Sequence, residues 1–218
     1  MIASRCVMVI GVPRSGTSAT AGLLQHAGIP MERARRKPHP SNPKGYFEDV
    51  RWLRAHQWSG TNYVIRRTQP SKADLSRYKR LASVYQSDRL WGMKHPRLCA
   101  AAQYVWPLLD EVRIVALHRD LDASIRSLAA RNKMMHNKIL PTRKARAVIA
   151  KWLEMMEETL AVWNGPLFHL QFEDLVQNPT EHAISLCRFA AEGLDVTLNP
   201  SLGAEFIDPA LNRHGRQE

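Results

Sequence analysis

The segment from Gly11 to Ser18 has the residue types and spacing to bind a phosphate group. It reads Gly-Val-Pro-Arg-Ser-Gly-Thr-Ser, directly after an apolar run and before a helical pattern. Gly11 and Gly16 permit backbone conformations that turn successive N–H groups inward around an anion, and a helix starting at Thr17 adds partial positive charge. The glycine spacing matches that of a phosphate-binding loop. The alternative is a chance pair of glycines between a strand and a helix.

The loop differs from that of nucleoside triphosphatases in the position of its positive charge. Thr17 stands where those enzymes carry a lysine after the second glycine, and Arg14 supplies a cation earlier in the loop. A later apolar strand ends in His118 and Arg119 rather than in an aspartate suited to magnesium. Both differences argue against a triphosphate with magnesium, and we expect no metal at this site.

Arg119 and Ser127 form a second candidate anion site at the end of that strand. Asp120 can cap the helix that follows. Ser127 lies almost two turns further on, on the face of the helix start and roughly 10 Å along the axis. The guanidinium offers paired donors to one phosphate, and the hydroxyl offers another. A solvated arginine and a surface serine are the alternative interpretation of this pair.

Short apolar strands and helical patterns alternate along the chain and must position these residues. Strands are predicted at 6–10, 90–93, 112–118 and 167–172. Helices are predicted at 17–27, 49–58, 73–87, 98–109, 121–133, 143–163 and 180–191. The alternation is typical of parallel strands joined by crossover helices, and near-continuous apolar strands suit a sheet covered on both faces. We therefore predict a single α/β domain over 1–218, with about four or five parallel strands.

Composition limits the class of partner. The 218 residues include 31 Lys or Arg and 20 Asp or Glu, and the net charge of +11 attracts anions. Residues 131–151 hold seven of these cations and no acid, which indicates a solvated surface or a polyanion-binding face.

There is no apolar run of about 18 residues and no export signal at the N-terminus, so we expect a cytoplasmic protein without a membrane span. The three cysteines are far apart, which favours reduced, buried thiols.

Four segments resemble the sulfotransferases that use PAPS, 3'-phosphoadenosine-5'-phosphosulfate. Residues 12–18 resemble their 5'-phosphosulfate loop, and Arg119 with Ser127 resembles their 3'-phosphate motif, including its spacing. Residues 42–48, Asn-Pro-Lys-Gly-Tyr-Phe-Glu, are similar to a segment of bacterial members. Residues 172–175, Phe-Glu-Asp-Leu, are similar to the Tyr-Glu-Asp-Leu segment after the fourth strand.

This resemblance implies a P-loop NTPase-like fold, PAPS as co-substrate and PAP, the 3',5'-bisphosphate, as product. It implies that the 3'-phosphate contacts Arg119 and Ser127. It also implies that the 5'-phosphosulfate contacts the loop residues Pro13, Arg14, Ser15, Gly16, Thr17 and Ser18. The acceptor is then a small molecule or a glycan, with acidic acceptors included, and we expect no nucleic acid as partner. The oligomeric state stays open.

Sulfuryl transfer needs positive charge at the leaving phosphate oxygens. We assign this role to Arg14 and the loop amides. Lys94 is a candidate helper because it lies at the carboxyl end of a predicted strand, where ligands of open α/β sheets bind.

Transfer also needs a base for the acceptor proton. Glu48 is our preferred base, because its segment resembles the place where carbohydrate and protein sulfotransferases carry a catalytic glutamate. A glutamate that satisfies a helix dipole is the alternative. His95 is the second candidate, since histidine titrates near neutrality. Its segment departs from the Lys-Thr-His segment of the cytosolic small-molecule enzymes, so His95 does not map onto their histidine base.

Arg213 is a further candidate for binding a phosphate or an anionic acceptor. It lies in Asn-Arg-His-Gly at 212–215, which resembles an end segment of bacterial sulfotransferases. A flexible tail over 208–218 is the alternative.

Two other functions compete with sulfuryl transfer. A nucleotide or small-molecule kinase would use the same strand, loop and helix, although the loop lysine is missing. A non-catalytic polyanion-binding protein would use the positive charge but would leave the phosphate loop unexplained.

Overall fold

The apolar run after Ser4 forms the first strand of a four-stranded parallel sheet. The computed structural model describes residues 3–34, 37–40, 42–61, 64–65 and 69–211. The parallel strands are β1 (Arg5–Ile10), β4 (Leu90–Lys94), β5 (Glu111–His118) and β6 (Leu167–Gln171). A separate antiparallel pair consists of β2 (Gly60–Thr61) and β3 (Val64–Ile65). The parallel sheet confirms the predicted architecture, and each predicted strand is correct to within one residue at either end.

The strand order places β1 between β4 and β5. The order across the sheet is β4-β1-β5-β6, and every pairing is parallel. The chain therefore passes from β1 to β4 on one side and then returns to β5 on the other. Such a reversal opens a crevice at the carboxyl ends of the strands, where open α/β sheets bind their ligands.

Side-chain alternation along β1 divides the core into two layers. Cys6, Met8 and Ile10 face one cluster of buried residues, whereas Val7 and Val9 face the other. Each face of the sheet is therefore covered by apolar side chains, as the strand composition predicts.

Nine α-helices occur among the described residues. They are α1 (Thr17–His26), α2 (Val50–Ala55), α3 (Lys72–Tyr85), α4 (Leu98–Val105), α5 (Leu121–His136), α6 (Thr142–Ala161), α7 (Phe172–Gln177), α8 (Pro179–Ala191) and α9 (Pro200–Phe206). Helices α4 and α6 cover one face of the sheet, and α1, α8 and α9 cover the other. Within this described part of the chain, no helix is long and apolar enough to cross a membrane.

The structure corrects several predicted helices. The predicted helices at 49–58 and 98–109 each end in a 3-10 segment, His56–Ser59 and Trp106–Leu108. Helices α7 and α9 were not predicted. Helix α5 continues three residues beyond its predicted end and stops where Asn137 adopts a left-handed conformation with φ 50°.

Candidate active site

The phosphate-loop segment lies at the carboxyl edge of the sheet, between β1 and α1. Arg14 and Gly16 both adopt positive φ angles, 74° and 97°. Gly16 is the N-cap of α1, so the cap provides no side-chain acceptor for the first-turn amides, and that turn contains no acidic residue. The N-terminus of α1 therefore keeps its positive electrostatic character for an anion from outside the helix.

Phe172 packs directly against the backbone of the loop. A Cβ atom added at Gly16 would lie 2.1 Å from the Phe172 ring, so only glycine fits there. The Arg119 guanidinium also lies over the Phe172 ring, 4.7 Å from the ring centre. The Phe172 ring thus couples the loop after β1 to the arginine after β5.

Arg14, Arg119 and Ser127 meet beside the loop. Arg14 Nε donates to Ser127 Oγ at 3.0 Å, and Arg119 Nη1 donates to the carbonyl oxygen of Arg14 at 2.8 Å. The Arg119 side chain is 7% exposed, and Glu173 Oε1 lies 3.8 Å from its Nε. Burial lowers the pKa of Arg119, and the charge of Glu173 opposes that shift. Two guanidinium groups and a hydroxyl therefore converge on one small region.

Lys94 and Glu48 form a buried ion pair on the other side of the loop. Lys94 Nζ lies 2.8 Å from Glu48 Oε1, and the two side chains are 1% and 6% exposed. The same Nζ donates to Ser18 Oγ at 3.0 Å, and Ser18 Oγ also accepts from Asn42 Nδ2 at 3.0 Å. One ammonium group thus connects the carboxylate to the first turn of α1.

His95 lies next to this pair in a defined orientation. Its Nδ1 accepts a hydrogen bond from the backbone N–H of Arg97 at 3.0 Å. In a neutral imidazole the other nitrogen then carries the proton. That nitrogen, Nε2, lies 4.0 Å from Glu48 Oε2. Nε2 of neutral His95 therefore carries a proton and cannot accept one.

One cavity of about 560 Å³ is lined by the arginine and serine cluster, the buried ion pair and His95. The loop after β1, the residues after β4 and β5, and one side of α5 form its walls. The segment 42–48 and the end of α9 complete the lining. Cations and apolar side chains dominate, and the acidic lining residues are Glu48 and Asp208.

The sequence itself matches a known family over most of its length. A model of the sulfotransferase family matches residues 6–196. The chain belongs to the sulfotransferase family. No match was found among curated proteins.

Several solved bacterial sulfotransferases share this fold. A sulfotransferase from Mycobacterium avium is 14% identical with a TM-score of 0.59, covering 100% of this chain and 70% of its own. One from Mycobacterium tuberculosis is 15% identical with a TM-score of 0.56, covering 94% and 71%. The sulfotransferase domain of a Synechococcus olefin synthase is 18% identical with a TM-score of 0.54, covering 96% and 86%. These likenesses establish a P-loop NTPase-like α/β fold, as the sequence resemblance implied.

In this sulfotransferase nine of the predicted site residues lie together. Arg14, Gly16, Thr17, Ser18, Glu48, Lys94, His95, Arg119 and Ser127 all line the cavity. The side chains of Pro13 and Ser15 are buried in the loop and do not line the cavity. Arg213 lies outside the described residues.

The structure adds lining residues beyond the predicted catalytic and donor-binding residues. They come from the last turns of α5 and from the end of α9, and they include Arg131, Met134, Met135, Phe206 and Ile207. Phe206 stacks on His26 of α1, with ring centres 4.6 Å apart, which holds α9 at the cavity.

Asp49 fixes the position of Glu48. Its carboxylate caps α2 through the backbone N–H of Arg51 at 2.9 Å. It also accepts the backbone N–H groups of Arg33 and Ala34 at 2.9 and 3.0 Å, and the Tyr85 hydroxyl. Burial alone would raise the pKa of Asp49, but these bonds and the Arg51 side chain lower it to about 2.

We expect Asp49→Asn to lower the free energy of unfolding by about 2 kcal/mol at pH 6. The folded-state pKa of Asp49 is lower than its unfolded value, near 3.9. This stabilisation is therefore complete above pH 5 or so and is lost as the pH falls toward 2. Urea unfolding of wild type and variant at pH 6, 4 and 3 measures it, and the difference between them is expected to shrink with pH.

Asp122→Asn is the matched control for Asp49→Asn. Asp122 is 58% exposed and pairs with the exposed Arg146, so its loss is expected to change stability by less than about 0.5 kcal/mol. A difference between wild type and Asp49→Asn that stays constant from pH 6 to pH 3 would contradict the role assigned to the carboxylate charge.

Proposed function

We propose that the protein transfers a sulfuryl group from PAPS to an acceptor hydroxyl or amine by in-line displacement and releases PAP. The observation that carries this proposal is the convergence of Arg14, Arg119 and Ser127 beside the uncapped N-terminus of α1. A donor with separate anionic groups at its 5' and 3' positions needs two adjacent anion sites. The phosphate loop supplies the first, and the arginine–serine cluster supplies the second.

The donor's 5'-phosphosulfate is assigned to the loop and the start of α1. Backbone N–H groups at a helix N-terminus favour a compact anion. The donor's 3'-phosphate is assigned to Arg119 and Ser127, where a buried guanidinium supplies directional, charge-assisted bonds. Arg14 lies between both assigned sites, since it belongs to the loop and its side chain contacts Ser127.

The transfer step breaks the bond between sulfur and the bridging phosphate oxygen. The acceptor oxygen or nitrogen forms the new bond to sulfur, and the electron pair of the broken bond stays on the phosphate oxygen. Arg14, the loop amides and Lys94 stabilise that developing negative charge. Lys94 is well placed for this role because its ammonium group already contacts Ser18 in the first turn of α1.

Glu48 receives the proton that leaves the acceptor. Its carboxylate is buried, lines the cavity and lies within 2.8 Å of the Lys94 ammonium. The hydrogen bond from the Arg97 backbone to His95 Nδ1 supports Glu48 over His95, because it leaves Nε2 of the neutral ring protonated. Neutral His95 is instead a neighbour of the carboxylate, with Nε2 4.0 Å from Glu48 Oε2.

The test is calorimetric titration of the protein with PAP, with AMP and with ATP plus magnesium. We expect PAP to bind without metal and more tightly than AMP, which lacks the 3'-phosphate. Arg119→Met is expected to weaken PAP binding roughly tenfold to a hundredfold and to leave AMP binding much less affected. Arg146→Met, which removes an exposed arginine, is the control and is expected to bind PAP normally.

Each other result of this titration points to a different function. Preference for ATP with magnesium would contradict the proposal and favour a kinase. If none of the three nucleotides bound, the result would favour a polyanion-binding protein.

A further inference from the structure

Arg131 differs from every other cation in its stretch of the chain. Residues 131–151 lie wholly within the described structure and contain seven Lys or Arg. Six of them are exposed, whereas Arg131 is only 8% exposed and lines the cavity. A solvated surface explains the six, but it does not explain a cation that folding removes from water.

The described residues provide little compensation for this burial. Arg131 Nε is inaccessible to solvent and has no hydrogen-bond partner among them. The contact that the structure gives the guanidinium is with the Tyr46 ring, whose centre lies 5.9 Å from Cζ. A ring face at that distance attracts a cation but offers no acceptor for its N–H groups. Because Arg131 lines the cavity, an anion that enters it can approach the guanidinium.

The position of Arg131 on α5 separates it from the cluster assigned to the donor. Ser127, which contacts Arg14, lies one turn earlier on the same helix face, about 6 Å along the axis. Arg131 is instead next to Tyr46, which is two residues before Glu48. It therefore lies on the side of the cavity where the acceptor must approach the base.

Several apolar side chains line the same cavity as Arg131. Met134 and Met135 follow it on α5, and Phe206 and Ile207 line the cavity from the end of α9. Met134 is 51% exposed and lines the cavity, so its side chain is accessible to a ligand there. The cavity therefore offers Arg131, a buried cation that the donor does not use, together with adaptable apolar side chains.

We propose that Arg131 binds the anionic group of the acceptor, and that the acceptor is an amphiphile with an apolar body and a carboxylate or similar anion. This inference rests on the proposed sulfuryl transfer, because that proposal assigns Arg14, Lys94 and Arg119 to the donor. Two further cations line the cavity, Lys44 and Arg97, and they donate to the carbonyl oxygens of Phe206 and Leu53. Arg131 is then a specificity-determining residue: it contacts the acceptor away from the reacting atoms and selects acidic acceptors over neutral ones.

The experiment compares octanoate with its neutral analogue octanamide as probes. Each is titrated calorimetrically into the protein saturated with PAP and, separately, into the protein without nucleotide. We expect wild type to bind octanoate roughly tenfold more tightly than octanamide, since one charge-assisted pair is gained. Arg131→Met is expected to bind both probes equally, and Arg131→Lys to keep part of the preference.

Lys133→Met is the matched control, because Lys133 is an exposed cation on the same helix. This variant is expected to keep the full preference for octanoate, which excludes general attraction by the positive surface. Equal affinity of wild type for the two probes, no measurable octanoate binding, or a preference that survives in Arg131→Met would overturn the proposal.

Titration with PAP separates this proposal from the proposed function. Arg131→Met is expected to bind PAP within about twofold of wild type, and a large loss would assign Arg131 to the donor and overturn its acceptor role. Failure of wild type to bind PAP would instead contradict the donor assignment, while the octanoate titration without nucleotide would still test Arg131.

Discussion

Replacing Glu48 with glutamine is expected to lower kcat by about a thousandfold, because the variant keeps the shape of the side chain but cannot accept the acceptor's proton. General-base catalysis of this kind contributes roughly a hundredfold to ten-thousandfold. Glutamine keeps an oxygen acceptor for Lys94, which lies 2.8 Å away, so the geometry of the site is expected to persist. The measurement is sulfuryl transfer from labelled PAPS to an acceptor found by screening, with PAP affinity determined in parallel.

His95→Gln is the comparison that distinguishes the two candidate bases. If His95 is only a neighbour of Glu48, with its Nε2 4.0 Å from Oε2, its loss is expected to lower kcat by about tenfold or less. A larger loss in His95→Gln than in Glu48→Gln would reverse the assignment. Equal PAP affinity in wild type and both variants would show that either loss arises in the chemical step rather than in donor binding.

Breaking the buried pair also has a cost in stability that must be measured separately. Lys94 is 1% exposed, and removing the charge of its partner leaves it with less compensation for burial. Thermal unfolding of Glu48→Gln with and without PAP tests whether the variant is folded under assay conditions. Binding of PAP is expected to raise its Tm, because ligand that binds only the folded state stabilises it.

The strands and the phosphate loop could be predicted because their signals are local. Val7 and Val9 on one face and Cys6 and Met8 on the other give β1 a continuous apolar pattern. Gly16 is required by its own backbone angle, which makes the loop visible as a short motif. Parallel pairing then places the ends of β1, β4 and β5 at one edge of the sheet.

The acceptor side of the cavity could not be predicted, because it depends on contacts between distant parts of the chain. Phe206 lines the cavity because α9 packs against α1, where a Cβ added at Gly22 would lie 2.1 Å from its ring. Nothing in the sequence near Phe206 indicates that contact. The burial of Arg131 could not be predicted for the same reason. Its sequence neighbours suggest a solvated cation, whereas in the fold it is 8% exposed and lies against Tyr46.

The choice between Glu48 and His95 was open in the sequence for a related reason. Both residues follow recognisable segments, and each is an ordinary proton acceptor in isolation. A backbone N–H two residues after His95 decides which ring nitrogen is available. Proton-transfer roles therefore depend on hydrogen bonds that residue types alone do not specify.

Gly16→Ala is expected to weaken donor binding more than the loss of any single cation. The added Cβ would lie 2.1 Å from the Phe172 ring, and the φ of 97° is itself unfavourable for alanine. The loop must then shift away from Phe172, which also supports the Arg119 guanidinium at 4.7 Å. Loss of two or more charge-assisted bonds to the donor corresponds to a roughly hundredfold to ten-thousandfold weaker PAP affinity, measured by calorimetry.

Gly193→Ala provides a matched control for Gly16→Ala, because Gly193 also has a positive φ, 76°, but has no atom within 4 Å of an added Cβ. It follows α8, and the described residues that line the cavity do not include it. We expect it to lower stability by about 1 kcal/mol through backbone strain alone and to leave PAP affinity unchanged. If Gly16→Ala behaved like Gly193→Ala, the contact between Phe172 and the loop would not control the donor site. A selective loss of PAP binding in Gly16→Ala would mean that the contact with Phe172 fixes the positions of the two anion sites relative to each other.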